Sequence, residues 1–488
     1  MQYSPSQAEA MQTAPAPQPL DRSNAQTSTA RVDLASTLQA RRRRLAKLIE
    51  FPVLLWSGAA KPRNFTANIY PYRASSHFLY FAGIPLENAA IRIDGEELTL
   101  FIDEATPDDI LWHGPMPTRD EIAQRIGANK ARPLRDLESL ASGVALLSEK
   151  DETVRSMEEA LLKQGVVLTR HRPESNRLLE RAIVRLRMIQ DEGAIATIRK
   201  AIKVTVEAHK AGMTATASAS TEAQIRAAME AVIIGHNMSC AYGSIVTIAG
   251  EVLHNHRYYN PVKPGDLLLA DVGAETFDGW ASDITRTWPV SGKFSATQQD
   301  LYDIVLAAHD FCIEQAKPGV EYQRIHLIAC EIIAAGLVEL GILKGNPTDL
   351  VEQDAHALFF PHGVGHLMGL DVHDMEDLGD IAGYADGNQR SDRFGLSFLR
   401  LHRPLEENMI VTIEPGFYQV PAILNSRETR DRYANIVNWE RLEQFSDVRG
   451  IRIEDDILIT PQGCEVLSKA LPTTANEIED LVRQRSHA

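Results

Sequence analysis

Apolar positions in the first third of the chain come in short runs separated by turn residues. The runs lie at Val53–Trp56, Ala90–Ile93 and Leu98–Ile102. Runs of this length between turn signals are typical of β-strands, and Asp94-Gly95 between the last two predicts a hairpin. Helical patterns follow near 119–126 and 156–164. We therefore predict a small α/β domain in this part of the chain.

The rest of the chain shows long helical segments that bracket short apolar strands. The helical segments are Asn176–Ile202, Thr221–Ile234, Thr297–Gln315 and Arg324–Leu340. The polar stretch His171–Asn176 between the two patterns is typical of a linker. Residues 1–30 are mostly Gln, Ser, Ala, Pro and Thr, a composition that cannot bury enough apolar surface to fold. We predict a disordered tail over 1–30, an N-terminal domain over 31–172 and a second domain over 177–488.

The net charge of the chain bears on its partners. Its 488 residues include 50 Lys and Arg against 66 Asp and Glu, a formal charge of −16, and 44% are hydrophobic. This composition is that of a globular protein, and the acidic balance argues against a general nucleic-acid binder. The run Arg41–Arg44 lies in a helical pattern and is interpreted as a solvated helix face rather than as a nucleic-acid patch.

Cysteine usage and apolar run lengths bear on the compartment. The four cysteines, at positions 240, 312, 330 and 464, have no close spacing, so neither a disulfide framework nor a CxxC metal knuckle is expected. The N-terminal residues lack the apolar segment of a secretory signal, and no stretch approaches the roughly 18 consecutive apolar residues of a membrane span. We predict a cytoplasmic protein without a membrane partner.

Two aspartates lie twelve residues apart in strand-like segments. Asp271 follows the buried run Leu267–Ala270, and Asp283 lies in the next strand-like stretch. Asp278-Gly279 between them predicts a hairpin. A two-residue turn would leave the acids three positions out of register, so a bulge or a longer loop is required. A carboxylate at the end of a buried strand is costly without a partner, although either residue could be a structural turn acid.

Three histidines fall within twelve residues among glycines, at His362, His366 and His373. Imidazole suits a divalent metal ion or proton transfer near neutral pH. A single histidine is usually structural, but three so close together favour a functional cluster.

Two glutamates are associated with further apolar strands. Glu414 ends the run Met409–Ile413, just before Pro415. An alternating strand places Arg452 and Glu454 on one face and isoleucines on the other. A core strand with charged residues on one face requires a polar partner there, and a metal site would supply one.

Together these segments supply one histidine and four carboxylates: Asp271, Asp283, His366, Glu414 and Glu454. Oxygen-rich ligation of this kind favours Mn²⁺ or a similar ion over a thiolate zinc site. Five ligands, several able to bridge, are too many for one ion and suit two. Two ions roughly 3.5–4 Å apart can share a hydroxide and activate it at neutral pH.

Five strings, in this order, resemble the motifs of the pita-bread metallopeptidases that act on Xaa-Pro bonds, aminopeptidase P and prolidase. They are LLLADVG (267–273), ASDITRTWPVSGKF (281–294), HGVGHLMGLDVHD (362–374), VTIEPGFY (411–418) and RGIRIEDDILIT (449–460). The resemblance extends from about residue 35 to the end of the sequence. It implies an α+β protein with an N-terminal α/β domain and a C-terminal catalytic domain of the pita-bread (creatinase/aminopeptidase-like) fold, a curved antiparallel sheet backed by helices.

The resemblance also implies roles for the five ligands of a dinuclear, typically manganese, centre. Asp283 and Glu454 would bridge the two ions. Asp271 would complete the shell of one ion, and His366 and Glu414 that of the other. Glu414 would also act as the general base towards the water that attacks the scissile carbonyl.

Four further residues match family positions around these ligands. His373 resembles the histidine that stabilises the tetrahedral intermediate and the leaving proline nitrogen. His362 and His254 match histidines that line the substrate pocket. Arg452 matches an arginine beside the ligands that holds the carboxylates in place.

The resemblance leaves two activities open, because both enzymes need the same metal ligands. The string Tyr70–Gly83 looks like the aminopeptidase P N-terminal domain, whereas Asp374–Asn408 and Asn435–Phe445 look more like prolidases. Arg400 falls where it could bind the carboxylate of a short substrate, or it could be an ion-paired surface residue. We predict an Xaa-Pro aminopeptidase, with an Xaa-Pro dipeptidase (prolidase) as the alternative.

The expected partners are peptides with proline in second position, and the family implies a homo-oligomer, a dimer or a tetramer. A pita-bread binding module without catalysis and a creatinase-like or methionine-removing relative are less favoured alternatives. The chain departs from the family pattern in two places. The aspartates are one residue further apart than is common, and the usual Gly-rich stretch before the pocket histidine reads Ser244–Gly250. Neither change removes a ligand, but both could reshape the pocket for the N-terminal residue.

Overall fold

A small sheet forms the first part of the fold. Its strands are β1 (Val53–Gly58), β2 (Ala89–Asp94), β3 (Glu97–Phe101) and β4 (Lys130–Arg132). They follow the order β1-β2-β3-β4 in this computed structural model, which describes residues 33–147, 152–163 and 174–484. β1, β2 and β3 are antiparallel, and β4 is parallel to β3. Asp94 pairs with Glu97, which confirms the hairpin predicted at Asp94-Gly95.

Helices pack around this sheet, and one of them corrects a prediction. They are α1 (Leu34–Ala46), α2 (Ser76–Ala82), α3 (Pro107–His113), α4 (Arg119–Ile126) and α5 (Glu152–Lys163), with a 3-10 turn at Leu134–Ser139. The interpretation of Arg41–Arg44 as a solvated face is wrong for its first two residues, because Arg41 and Arg42 are only 4% and 1% exposed. Arg41 forms an ion pair with Asp191 at 2.7 Å, and Arg42 donates to the carbonyl of Gly127. These arginines therefore join α1 to later segments.

Longer helices dominate the second part. They are α6 (Glu174–Met188), α7 (Glu192–Thr216), α8 (Glu222–Gly235), α9 (Ala296–Gln315), α10 (Tyr322–Glu339) and, after the last strand, α16 (Ala475–Arg483). The single helix predicted over 176–202 is two helices. The break comes at Asp191, whose carboxylate accepts the N–H of Ala194 as the N-cap of α7. The ion pair with Arg41 holds that carboxylate in place.

Short helices and turns carry the chain between the remaining strands. They are α11 (Pro347–Glu352), α12 (Asp380–Gly383), α13 (Pro421–Leu424), α14 (Arg427–Arg432) and α15 (Trp439–Glu443), with 3-10 turns at Ala355–Leu358 and Glu376–Leu378. Within the described ranges, no helix is long and apolar enough to cross a lipid bilayer.

A curved antiparallel sheet occupies the centre of the second part. Its strands are β5 (Ser239–Cys240), β6 (Ile245–Thr247), β7 (Leu267–Asp271), β8 (Ala274–Glu275), β9 (Thr285–Pro289), β10 (Ile410–Ile413), β11 (Gly416–Tyr418), β12 (Gly450–Arg452), β13 (Asp455–Thr460) and β14 (Gly463–Val466). They pair as β6-β7-β9, β11-β12, β10-β13-β14 and β5-β8. The bridge Thr285–Glu454 links β9 to the residue between β12 and β13, and the bridge Leu367–Val411 places the segment at Leu367 beside β10.

Helix α7 lies against one face of this sheet. The indole N–H of Trp288 on β9 donates to the Thr216 hydroxyl of α7 at 2.9 Å, and His209 of α7 lies 3.4 Å from the carbonyl of Ala270 on β7. Side chains alternate between the faces of a strand, so the neighbours of Trp288 and Ala270 point to the opposite, open face. The predicted tail (1–30) and the first half of the predicted linker (171–176) lie outside the described residues, whereas residues 174–176 are not a linker but the first turn of α6. The domain boundaries stay predictions.

Candidate metal centre

A long hairpin places both aspartates on the open face of the curved sheet. Its paired residues include Asp271–Thr285 and Glu275–Ala281. The register is the same at both pairs, so residues 276–280 form the longer loop that the sequence required. Asp283 lies two positions before Thr285 and therefore points to the same side, which is also the side of Asp271.

The two glutamates come from the adjoining strands and lie opposite each other. Glu454 is bridged to Thr285, whose hydroxyl donates to Oε2 of Glu454 at 2.7 Å. Ile413 pairs with Asp455, which puts the next pair, Glu414 and Glu454, in opposed positions. Opposed residues of an antiparallel pair share a face. Both glutamates therefore face the aspartates.

His366 completes the group from the neighbouring segment. Its carbonyl accepts the N–H of Thr412 at 3.0 Å, which fixes it beside β10. Its Nε2 lies 3.5 Å from Oδ2 of Asp283 and 3.8 Å from Oε1 of Glu414. Asp283, His366 and Glu454 each offer a ligand atom within 4.8 Å of the other two. The structure thus brings the five predicted ligands onto one face.

The electrostatics of this group favour a bound cation. Burial raises the pKa of Glu414 to about 7, and burial together with the neighbouring carboxylates raises the pKa values of Asp283 and Glu454 well above their usual range. Oε1 of Glu454 is buried and has no hydrogen-bond partner among the described residues. Buried carboxylates are costly when unpaired, and hard divalent cations prefer oxygen ligands. The donor set therefore fits the metal ions that the sequence predicts.

These shifts set the pH dependence of stability in the metal-free protein. The pKa of Glu414 is about 7 in the folded chain against an ordinary value of 4.5, so the folded state holds a proton that the unfolded chain loses between these values. We therefore expect the free energy of unfolding to fall as pH rises from about 4.5 to about 7. The raised pKa values of Asp283 and Glu454 act in the same direction. Glu414 alone contributes about 3 kcal/mol at roughly 1.4 kcal/mol per pKa unit.

Urea unfolding of the chelator-treated protein across this pH range measures the effect. Glu414→Gln should flatten part of the slope, and saturating metal should reverse the loss at neutral pH. A metal-free protein whose stability rises from pH 5 to pH 7 would contradict this account of the carboxylates.

Arg452 and Tyr242 form hydrogen bonds with the two aspartates, and the sequence analysis did not identify Tyr242. Arg452 donates to Oδ2 of Asp271 at 2.6 Å and to the Thr285 hydroxyl at 3.1 Å, which is the position that the resemblance implies. The Tyr242 hydroxyl lies 2.5 Å from both Oδ1 of Asp271 and Oδ1 of Asp283. A phenol has one proton, so it can donate to only one of them at a time. Nothing near Tyr242 in the sequence marks it, because pairing of β5 with β8 brings it there.

Two of the remaining histidines border the ligands. Nδ1 of His362 lies 3.7 Å from Oε2 of Glu414, and its Nε2 lies 2.8 Å from the Tyr418 hydroxyl. The ring of His373 packs edge-on against that of His366, with centroids 4.4 Å apart. Burial lowers the pKa of His362 to about 3 and that of His373 to about 4, so both rings are neutral near pH 7.

The segment that carries His373 is held by a buried ion pair with helix α6. Arg187 of α6 donates to Asp374 at 2.6 Å and to Asp371 at 3.1 Å, so the residues on both sides of His373 are fixed. The same guanidinium lies 2.8 Å from Nδ1 of His77 on α2. This contact couples the N-terminal helices to the rim of the site.

His254 and Arg400 lie at the rim. His254 is partly exposed, and the partial loss of solvent around its ring, together with the charge of Arg452, lowers its pKa. Arg400 lines a cavity of about 100 Å³ together with His366 and His373. Nη1 of Arg400 lies 2.6 and 2.7 Å from the two carboxylate oxygens of Glu376. Arg400 is thus ion-paired, as one of the two interpretations expected, and it also lines the cavity, while its binding of a substrate carboxylate stays a prediction.

A curved sheet with one histidine and four acids on its open face defines a class of metal-dependent hydrolases, and comparison with known proteins agrees. Residues 196–461 match the model of metallopeptidase family M24, and residues 38–154 match that of the aminopeptidase P N-terminal domain. The chain belongs to metallopeptidase family M24. The predicted family and fold class are confirmed.

Relatives and solved structures match along most of the chain. A protein of Sordaria macrospora named probable Xaa-Pro aminopeptidase is 31% identical over 481 residues, covering 94% of this chain and all of the relative. Another so named, from Pyrenophora tritici-repentis, is 32% identical over 85% of this chain and 87% of the relative. A substrate complex of an Escherichia coli aminopeptidase P variant matches with 27% identity and a TM-score of 0.76, covering 92% of this chain and 98% of that one. The zinc-substituted E. coli enzyme with product matches with 27% identity and a TM-score of 0.75, covering 92% and 99%.

Proposed function

We propose that this protein is a metal-dependent Xaa-Pro aminopeptidase, which removes the N-terminal residue from peptides with proline in second position. The observation that carries the proposal is the set of five predicted ligands on one sheet face, with a buried unpaired carboxylate oxygen among them. The relatives are named Xaa-Pro aminopeptidases and the solved neighbours are aminopeptidase P. At the level of the activity class, the predicted hydrolase and aminopeptidase are confirmed.

The proposed centre holds two divalent ions, with Mn²⁺ as the predicted metal. Asp283 and Glu454 are proposed to bridge them, in keeping with their central positions on neighbouring strands. Asp271 would complete one shell, and His366 and Glu414 the other. When bound, the ions supply Lewis-acid polarisation of the scissile carbonyl and a nucleophile at neutral pH.

The side chains around the ions have distinct proposed tasks. Glu414 takes the proton from the attacking water, since its carboxylate is buried beside His366 and faces the cavity side of the sheet. His373 stabilises the tetrahedral intermediate and the leaving proline nitrogen, and the ion pairs of Arg187 keep its segment fixed. His362, held by the Tyr418 hydroxyl, lines the substrate pocket.

Proline suits such a site for a physical reason. The amide before proline has no N–H, and the ring fixes φ, so peptidases that hold that N–H cannot use it. A site that instead grips the free amine and the carbonyl accepts this bond. His254 and Arg400 at the rim are proposed to contact the substrate, and Arg452 to hold Asp271 and Thr285 in place.

The predicted substrate length can be tested directly. We expect the Mn²⁺-loaded protein to hydrolyse an Xaa-Pro-Xaa peptide more efficiently than Gly-Pro, because an aminopeptidase P must accept chain beyond the proline. Arg400→Ala should raise KM for Gly-Pro and leave the longer peptide nearly unchanged, since only the dipeptide places its carboxylate near this guanidinium.

Steady-state kinetics on both peptides measure these effects, with Arg427→Ala, at a 96% exposed side chain, as the control variant. Cleavage of the dipeptide alone would instead identify a prolidase, the alternative that the position of Arg400 at the cavity favours. Cleavage of neither peptide would favour a binding module. The dimeric or tetrameric state and the cytoplasmic location stay predictions.

A further inference from the structure

A second group of potential metal ligands lies apart from the carboxylate centre. His326 and Cys330 are one turn apart on α10 and share a face of that helix, and His356 lies in the 3-10 turn Ala355–Leu358. Each is at most 1% exposed. Each offers a ligand atom within 4.8 Å of the other two, and Sγ of Cys330 lies 3.5 Å from Nε2 of His326.

The imidazoles in this group have unpaired nitrogens. Nδ1 of His326 and both ring nitrogens of His356 are buried with no hydrogen-bond partner among the described residues. A neutral imidazole has one donor and one acceptor nitrogen, so His356 leaves both unpaired in either tautomer. A buried polar group that is left unpaired destabilises the fold. Within the described residues, the protein therefore provides no hydrogen-bond partner for these three ring nitrogens.

The surroundings hold these rings in place. Nε2 of His326 lies 2.8 Å from the carbonyl of Gly395, a contact that fixes the orientation of the ring beside Cys330. A Cβ at Gly395 would come within 2.7 Å of Nε2 of His356, so the glycine leaves room for that ring.

We propose that His326, Cys330 and His356 form a structural site for a borderline-soft divalent ion, with Zn²⁺ as the fitting ion. Two imidazoles and one thiolate are zinc ligands, unlike the oxygen-rich set on the sheet. Ligand atoms of one tetrahedral zinc ion lie about 3.4–3.8 Å apart, from bonds of about 2.1–2.3 Å, so movements of about 1 Å would bring these three residues into ligation, with a water as the fourth ligand. Binding releases the Cys330 proton to solvent as the thiolate forms.

The site would brace one wall of the metal centre. The ring of His326 lies 5.6 Å from that of Phe360, which in turn lies 4.9 Å from the ring of His362, measured between centroids. An ion at Cys330 and His356 would fix the turn that leads directly into this aromatic contact.

Cobalt absorption distinguishes this site from the carboxylate centre. We expect the metal-free full-length protein, titrated with Co²⁺, to develop a near-ultraviolet thiolate-to-cobalt charge-transfer band whose final intensity corresponds to one thiolate-bound Co²⁺ per chain and which disappears when Zn²⁺ is added. The five ligands on the sheet include no sulfur, so Co²⁺ bound there gives no such band. A protein that binds Co²⁺ without the band would overturn the proposal, whether or not it hydrolyses peptides.

Matched cysteine variants assign the band. Cys330→Ala should abolish it, whereas Cys312→Ala should keep it, since Cys312 is equally buried on α9 but its thiol donates to the carbonyl of Ile325. A band that survives Cys330→Ala would overturn the assignment. If Cys330→Ala fails to fold, His356→Gln should reduce the apparent Co²⁺ affinity of the band at least tenfold, and an unchanged affinity would equally refute the site.

Discussion

Replacing Glu414 by alanine is expected to lower kcat for Xaa-Pro hydrolysis by at least about 10³-fold while the chain stays folded. A positioned general base contributes about 10²–10⁴-fold, and this carboxylate is also a proposed metal ligand. It follows β10 opposite Glu454, and its Oε1 lies 3.8 Å from Nε2 of His366. Folding should survive because the variant removes a buried carboxylate whose pKa is already raised to about 7.

Peptide hydrolysis, metal content and thermal unfolding of the variant decide this prediction together. Glu407→Ala is the matched control, since that glutamate is exposed and lies a few residues before the same strand. The control should keep activity and metal content. Near-normal turnover by folded Glu414→Ala protein would refute the proposed role of this residue.

Replacing Glu454 by glutamine is expected to remove both metal ions and with them the activity. Glu454 is proposed to bridge the ions, and one of its oxygens is taken by the Thr285 hydroxyl while the other is buried and unpaired. An amide offers only one weak oxygen ligand in that position, so neither ion would keep its full shell. Asp271→Asn, at a residue proposed to ligate a single ion, should retain the other.

Metal analysis after exhaustive dialysis separates these two variants. Glu440→Gln, on the exposed side of α15, serves as the control and should retain the wild-type content. Glu454→Gln protein that keeps both ions would rule out a bridging role, and loss of both ions from Asp271→Asn would assign that role to Asp271 as well.

The five proposed ligands could be selected from the sequence because each lies at a local signal. Asp271 and Glu414 end apolar strands, and His366 lies among glycines, so each lies in a short sequence motif that can be recognised without the structure. The hairpin between the aspartates was predictable as well, including the need for a longer loop, because side chains alternate along any strand.

The roles of the supporting residues could not be predicted from the sequence, because these residues act through contacts between segments that are distant along the chain. Tyr242 reaches both aspartates only through the pairing of two-residue strands that no periodicity reveals. The sequence predicts that Arg41 and Arg42 are solvated. In the structure they are buried, because Arg41 pairs with the carboxylate of Asp191 and Arg42 donates to the carbonyl of Gly127. Local charge density does not show which partners the fold provides.

The Thr285–Glu454 bridge also bears on the order in which the chain assembles. These residues are 169 positions apart, whereas the strands of the aspartate hairpin are near neighbours in sequence. Closing so long a loop costs chain entropy that local hairpins do not, so the hairpin can form first and the bridge later. The carboxylates then meet only when the two halves of the curved sheet join. The repulsion between the carboxylates therefore opposes this last joining step. Protons or metal ions that neutralise the carboxylates favour the step, so they help to complete the fold in addition to their part in the chemistry.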